Sequence, residues 1–158
     1  MKPWCRRRCS GLLIAFVDLA SLLVGLCVAL PVAAVEWVLV AEDGNVQVFA
    51  DESSLAQEGR YLRAWFRWDY SSPQTTTEGK YFLSFKALKH FDCALRQSSA
   101  RQVVLYTEGN GQGVVVDSAI FPPDDVNAHM QAVVPQTVGE AELDYVCKNA
   151  PGAKQQNE

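Results

Sequence analysis

Cys93 and Cys147 are the residues of this 158-residue chain whose type and number most directly predict a chemical bond. The other three of the five cysteines lie in the first 34 residues, which have the pattern of an export signal. An even pair in an exported domain favours a disulfide, worth roughly 4 kcal/mol at most for this separation. Two free buried thiols or a metal pair are the alternatives, but zinc needs four ligands and only His90 lies near either cysteine. We therefore predict a disulfide and no metal site.

The two histidines are the remaining candidates for catalysis or for an axial haem ligand. Nothing next to His90 or His129 would orient an imidazole ring, so we interpret the first as a surface residue and the second as a loop residue. The glycines of segment 109–113 lie between two predicted strands, which indicates a hairpin turn and not a phosphate cradle. No nucleophile elbow or zinc-protease motif is present. The sequence predicts no catalytic residue and no cofactor.

Aromatic side chains crowd two neighbouring predicted strands, and most of them should be core residues. Trp65 and Phe82 lie on the more polar side of their strands. Exposed apolar side chains on an exported domain mark partner surfaces or dimer contacts. We predict that Trp65 and Phe82 form a partner surface.

The N-terminal 34 residues resemble a secretory signal peptide. Three arginines, at positions 6–8, precede an apolar run over residues 12–30, and small residues end the segment. This pattern predicts cleavage between Ala34 and Val35. The alternatives are an uncleaved membrane anchor, which Asp18 would make costly, and a lipoprotein acylated at Cys27, which the bulky Leu26 argues against.

Removal of the signal would leave 124 residues, enough for one domain with its own core. These residues carry 10 Lys and Arg against 17 Asp and Glu, a net charge of −7. An acidic surface repels phosphate backbones, so we predict no nucleic-acid partner. After cleavage no membrane-spanning segment would remain.

The pattern of the mature chain is mostly that of strands. Residues 61–70 alternate strictly, with Leu62, Ala64, Phe66 and Trp68 on one face, which is typical of a sheet with one solvated side. Residues 71–79 are predicted to form a mobile polar loop. Residues 139–148 have helical spacing, with Leu143, Val146 and Cys147 on one side.

These elements predict an α+β fold, in which an antiparallel sheet of about five or six strands packs against a C-terminal helix and carries one disulfide. The predicted organisation is a signal peptide over residues 1–34, one domain over 35–149 and a disordered polar tail over 150–158.

The order and spacing of several residues resemble the bacterial surface-adhesin protein E family. The resemblance covers nearly the whole mature chain and rests on these residues: Trp37, Asp51, Ser53, Ser54, Leu55, Trp65, Asp69, Tyr70, Ser84, Lys86, Asp92, Cys93, Tyr106, Pro135, Val146 and Cys147.

The resemblance implies a small antiparallel sheet, a C-terminal helix and a Cys93 to Cys147 disulfide. It further implies a non-enzymatic envelope protein of a Gram-negative bacterium that binds host matrix proteins and pairs with itself. Without a lipid anchor, a periplasmic location is as well supported as the cell surface, and a structural or assembly role in the periplasm is the alternative function.

Overall fold

The computed structural model describes residues 35–122 and 129–151. The predicted signal peptide and residues 152–158 of the predicted tail lie outside the described residues. Eight strands and one helix make up the described fold: β1 (Trp37–Asp43), β2 (Val46–Asp51), β3 (Ala56–Glu58), β4 (Tyr61–Thr75), β5 (Tyr81–Asp92), β6 (Gln97–Tyr106), β7 (Val115–Ile120), β8 (Gln131–Ala132) and α1 (Val138–Lys148).

All strands belong to one antiparallel sheet. Its main path runs β1-β2-β4-β5-β6-β7, while the short β3 pairs with β4 and the short β8 pairs with β6. The predicted fold class is confirmed: six strands in the main path, one C-terminal helix and one disulfide.

Local sequence accounts for the first turns of the sheet. Gly44 has a φ of +43° in the β1–β2 turn, a conformation that glycine adopts without steric cost. Asp51 ends β2 and caps a single 3₁₀ turn, Glu52–Ser54, since its carboxylate accepts the Ser53 N–H at 3.0 Å. The chain then returns through β3 into the long β4.

β4 is longer than predicted. The segment 71–79, predicted as a loop, continues the strand as far as Thr75. Pairing with β5 is interrupted between Asp69 and Gln74, and Pro73 lies within this irregularity. A bulge lets a strand absorb a proline, which cannot donate a ladder hydrogen bond.

The core lies between α1 and one face of the sheet, here called the helix-side face. Leu143 and Val146 of α1 are fully buried there, as the helical spacing predicted. The sheet residues of this buried cluster alternate along their strands with residues of the opposite face: Val48, Ala50, Leu62, Ala64, Phe66 and Phe91. The alternation in β4 therefore predicted the correct face for the core.

The disulfide links this helix to the sheet. Cys93 follows directly after β5, and Cys147 lies in the last turn of α1, with a Cα–Cα distance of 5.8 Å. The predicted pairing is confirmed. None of the helical segments within residues 35–122 and 129–151 has the length and apolar character that crossing a bilayer requires.

Candidate functional site

The face opposite α1, here called the aromatic face, combines aromatic and basic side chains from five strands. The register places Phe49 opposite Arg67, and Arg67 opposite Lys86. Trp37 and Trp65 also lie on this face, since their neighbours in sequence point to the helix side. The sheet thus gathers rings and cations that are far apart in sequence.

Arg67 lies on the side of β4 that the alternation of residues 61–70 predicts to be solvated, and the structure corrects this prediction. Only 7% of the residue is exposed. Its guanidinium lies 4.4 Å from the centre of the Phe49 ring and 5.0 Å from that of Trp37, while its Nε donates to Asp69 Oδ2 at 2.7 Å. The rings remove Arg67 from water, and Asp69 balances its charge.

Lys86 is held differently. Its Nζ lies 5.3 Å from the centre of the Tyr106 ring and 5.9 Å from that of Trp37. Across residues 35–122 and 129–151, no carboxylate forms a salt bridge with Lys86. Its ammonium is therefore a positive charge that ring faces partly stabilise and no acid neutralises.

The predicted hairpin turn between β6 and β7 folds back onto this face. The Asn110 N–H donates to Asp69 Oδ1 at 2.6 Å, and the Gly111 N–H donates to Ser84 Oγ at 3.0 Å. Gly111 has a φ of +65°, and a Cβ at this position would overlap the Lys86 side chain. Only glycine lets the turn pack this closely over the lysine.

A pocket of about 330 Å³ opens beside these groups. Its lining comes from five strands and one residue ahead of β1: Val35, Trp37, Asp51, Trp65, Lys86, Gln102, Val104 and Tyr106. In the part of the chain that the structure describes, neither the Trp37 nor the Trp65 indole N–H donates a hydrogen bond. The pocket therefore offers aromatic surface, an ammonium group and free N–H donors.

The two residues predicted as a partner surface are separated. Trp65 pairs with Leu88 and lines the pocket, whereas Phe82 pairs with Gln74 far along the same two strands. Phe82 instead packs edge-on against Tyr70, with ring centres 5.9 Å apart, and burial raises the pKa of Tyr70. Both predicted residues are half-buried.

The family resemblance includes Trp37, Lys86 and Tyr106, but the sequence alone predicts no binding role for them. The face on which Lys86 lies could be predicted, because Lys86 alternates with Phe85 and Ala87 and so belongs to the polar side of β5. No local pattern predicts that Trp37 of β1 lies near this lysine, because β2 and β4 separate their strands in the sheet.

The helix-side face hides a charged pair that the sequence did not reveal. Glu142 of α1 is fully buried, where it accepts a hydrogen bond from Trp68 Nε1 at 2.7 Å and forms an ion pair with Lys89. Both carboxylate oxygens are therefore occupied. This contact fixes α1 on the sheet and is not available to a ligand.

His90 is a second correction, because it is buried and not on the surface. Its exposed fraction is 3%, its ring lies edge-on to Tyr61, and its Nε2 lies 3.4 Å from Glu58 Oε2. Among the described residues, no group of three or more His, Cys, Asp or Glu is arranged to bind a metal.

A larger cavity of about 510 Å³ lies near Lys89, between β6 and the residues ahead of α1. Phe121 and His129 line it, and these residues flank the segment 123–128, which is outside the described residues. We assign no ligand to this cavity.

Comparison with known proteins places the chain in a family. The family model described as surface-adhesin protein E matches residues 37–148. The chain belongs to the surface-adhesin protein E family. Two crystal forms of Haemophilus influenzae protein E have a similar fold. None of the curated protein sequences is a significant match to the chain.

The first of these protein E structures is 16% identical, with 75% of this chain and 86% of that chain covered and a TM-score of 0.52. The second is 15% identical, with 72% and 87% covered and a TM-score of 0.53. At these identities the similarity shows the fold alone. Membership of the surface-adhesin protein E family suggests a non-enzymatic adhesin of the bacterial surface.

Proposed function

We propose that this member of the surface-adhesin protein E family is an exported, non-enzymatic binding module that contacts host matrix proteins through the aromatic face. The observation that carries the proposal is the pocket beside Trp65, which combines aromatic surface with an ammonium group that has no acidic partner in the part of the chain that the structure describes. Tyr and Trp are enriched in protein-binding sites, and Trp37, Trp65 and Tyr106 line this pocket.

Five of the residues on which the family resemblance rests support this assignment, because they line the same pocket: Trp37, Asp51, Trp65, Lys86 and Tyr106. These residues come from five different strands. A purely structural explanation would place them in the core under α1, but they lie on the other side of the sheet.

The test is binding of the purified, oxidised protein to immobilised fibronectin, laminin and collagen. We expect saturable binding to at least one of them, and a loss of at least tenfold in affinity for Trp65→Ala. Phe82→Ala is the matched control, since Phe82 is also a half-buried aromatic residue but lies away from the pocket. Equal losses for both variants, or no binding to any matrix protein, would contradict the proposal.

Export is part of this proposal and has its own test. We expect an intact mass that begins at Val35 and carries no lipid. A mature protein found in the periplasm, without surface exposure, would instead favour the alternative function of a structural or assembly factor in the envelope. A lipidated or surface-exposed product would favour the adhesin.

Self-association is a second candidate function, and the edge strand β7 favours it. Val114 and Ile120 are each 71% exposed at this end of the sheet, and β7 pairs only with β6 among the described strands. An apolar edge strand can pair with a second copy. We expect light scattering to detect a dimer of the native protein and a monomer for Ile120→Lys; a monomeric native protein would exclude this role.

A further inference from the structure

We propose that the pocket on the aromatic face binds a sugar unit that carries one carboxylate, and that the Lys86 ammonium contacts this carboxylate. The inference deepens the proposed binding function and rests on it. It names the chemical class of ligand that the pocket would take from a matrix glycoprotein or another glycan.

Charge is the first argument. Arg67 is neutralised by Asp69, at 2.7 Å, whereas Lys86 has no acidic partner in the described ranges. An ammonium in a half-buried pocket attracts an anion more strongly than one in open water. The ligand would therefore supply the salt-bridge partner that Lys86 lacks among the described residues.

The number of charges favours one carboxylate over a polyanion. Among the described residues that line the pocket, Lys86 alone is basic, and the chain after the predicted signal has a net charge of −7. The net negative charge would repel a long polyanion more strongly than a ligand with a single carboxylate. Asp51 also lines the pocket and keeps its negative charge, but among the described residues it forms no salt bridge with Lys86. Its Oδ1 accepts the Ser53 N–H at 3.0 Å and the Ser53 hydroxyl at 2.6 Å, so we expect the ligand carboxylate at the Lys86 end of the pocket.

The uncharged surface of the pocket fits a sugar ring. Trp37, Trp65 and Tyr106 present flat faces on which the apolar C–H side of a pyranose can pack. The two free indole N–H groups and the Gln102 amide can bind hydroxyl oxygens at the ring edge. A volume of about 330 Å³ lies at the small end of ligand pockets and suits one or two sugar units.

The hairpin turn positions the cation. Gly111 covers the alkyl part of Lys86, and Tyr106 and Trp37 flank its ammonium. The lysine is thus pre-oriented, which lowers the entropy lost when an anion binds. Gly111 and Lys86 act together in this arrangement.

Calorimetry with three small glycosides tests the inference on the exported, oxidised protein. The probes are the methyl α-glycoside of N-acetylneuraminic acid, methyl β-D-glucuronide and, as a neutral control, methyl β-D-glucopyranoside. We expect at least one acidic sugar to bind tenfold more tightly than the neutral one, with affinity that falls as salt rises. Preference for one acid identifies the source of the carboxylate. Absence of binding, or equal binding of all three, overturns the inference.

Two substitutions separate charge from folding. Lys86→Met keeps the alkyl stem and should lose at least tenfold in affinity, while Lys86→Arg keeps the charge and should stay within about threefold of the native protein. Lys80→Met is the matched control, because Lys80 pairs with Glu78 away from the pocket. Unchanged binding by Lys86→Met, or an equal loss for Lys80→Met, overturns the assignment of Lys86.

The same variants distinguish this inference from the proposed function. If Lys86→Met still binds matrix proteins as the native protein does, the carboxylated sugar is wrong and the matrix-binding function stands. If the acidic sugar binds and no matrix protein does, the matrix partner is wrong and the sugar site stands.

Discussion

The two faces of the sheet accommodate their charged side chains in different ways. Under α1, the helix-side face buries aliphatic and aromatic side chains completely, and its one charged pair, Glu142 with Lys89, is enclosed between sheet and helix. The aromatic face has no α-helix over it in the described chain, and its cations lie against aromatic rings. The difference indicates that one face holds the fold together and the other remains available for binding.

We expect the largest difference in stability between substitutions of two phenylalanines on opposite faces. Phe66 is fully buried on the helix-side face, and Phe49 is half-buried on the aromatic face. Because a buried cavity cannot refill with water, Phe66→Ala should lower the free energy of unfolding by about 4 kcal/mol, and Phe49→Ala by about 1 to 2 kcal/mol. Urea unfolding measures both, and equal losses would show that both faces are core.

The disulfide should contribute the next largest effect, because it holds α1 against the helix-side face. Cys93→Ser should lower the free energy of unfolding by about 3 kcal/mol under oxidising conditions. Reduced native protein is the control and should unfold like the variant. A melting temperature equal to that of the oxidised native protein would contradict the prediction.

Two tryptophans three residues apart sharpen the comparison. Trp68 stacks on Phe85, with ring centres 5.2 Å apart, and donates to the buried Glu142. Trp65 lines the open pocket instead. Trp68→Ala should therefore cost about 3 kcal/mol and Trp65→Ala about 1 kcal/mol. If Trp65→Ala proves the more destabilising in thermal unfolding, the assignment of the two faces is reversed.

The sequence alone predicted the features of the fold that depend on hydrophobic periodicity. The strict alternation of β4 predicted which of its residues meet the helix, and the spacing of Leu143 and Val146 predicted the inner side of α1. The strands of the main path and the helix followed from the same local patterns, whereas the disulfide followed from the even number of cysteines after the predicted signal.

What sequence missed depends on contacts between distant residues. Glu142 lies near the start of the helix, where acidic residues are common. Its buried environment is set by Trp68 and Lys89, which are 74 and 53 positions away. Arg67 appeared solvated because no local pattern places Trp37 and Phe49 over it. Pro73 suggested a loop because the bulge of β4 that accommodates it is visible only in the register with β5.

The smallest effect should come from Asp92, at the end of β5 beside the disulfide. Its pKa lies below the ordinary 3.8, first because the Leu95 N–H donates to Oδ1 at 3.0 Å and then because Arg60 donates to Oδ2 at 2.6 Å. A lowered pKa means that the folded state favours the charged carboxylate. This stabilisation is complete above the pKa of the unfolded chain and is lost as pH falls through the folded value.

Asp92→Asn keeps an oxygen for the Leu95 N–H and removes only the charge. The stability difference between native protein and variant should be largest above about pH 5 and should shrink towards pH 3, as urea unfolding at several pH values would measure. Arg60 is largely exposed, so added salt should weaken its share. Glu42→Gln, which removes an exposed carboxylate of β1, controls for net charge. If the difference in stability stays constant from pH 7 to pH 3, Asp92 stabilises the end of β5 through hydrogen-bond geometry and not through its charge.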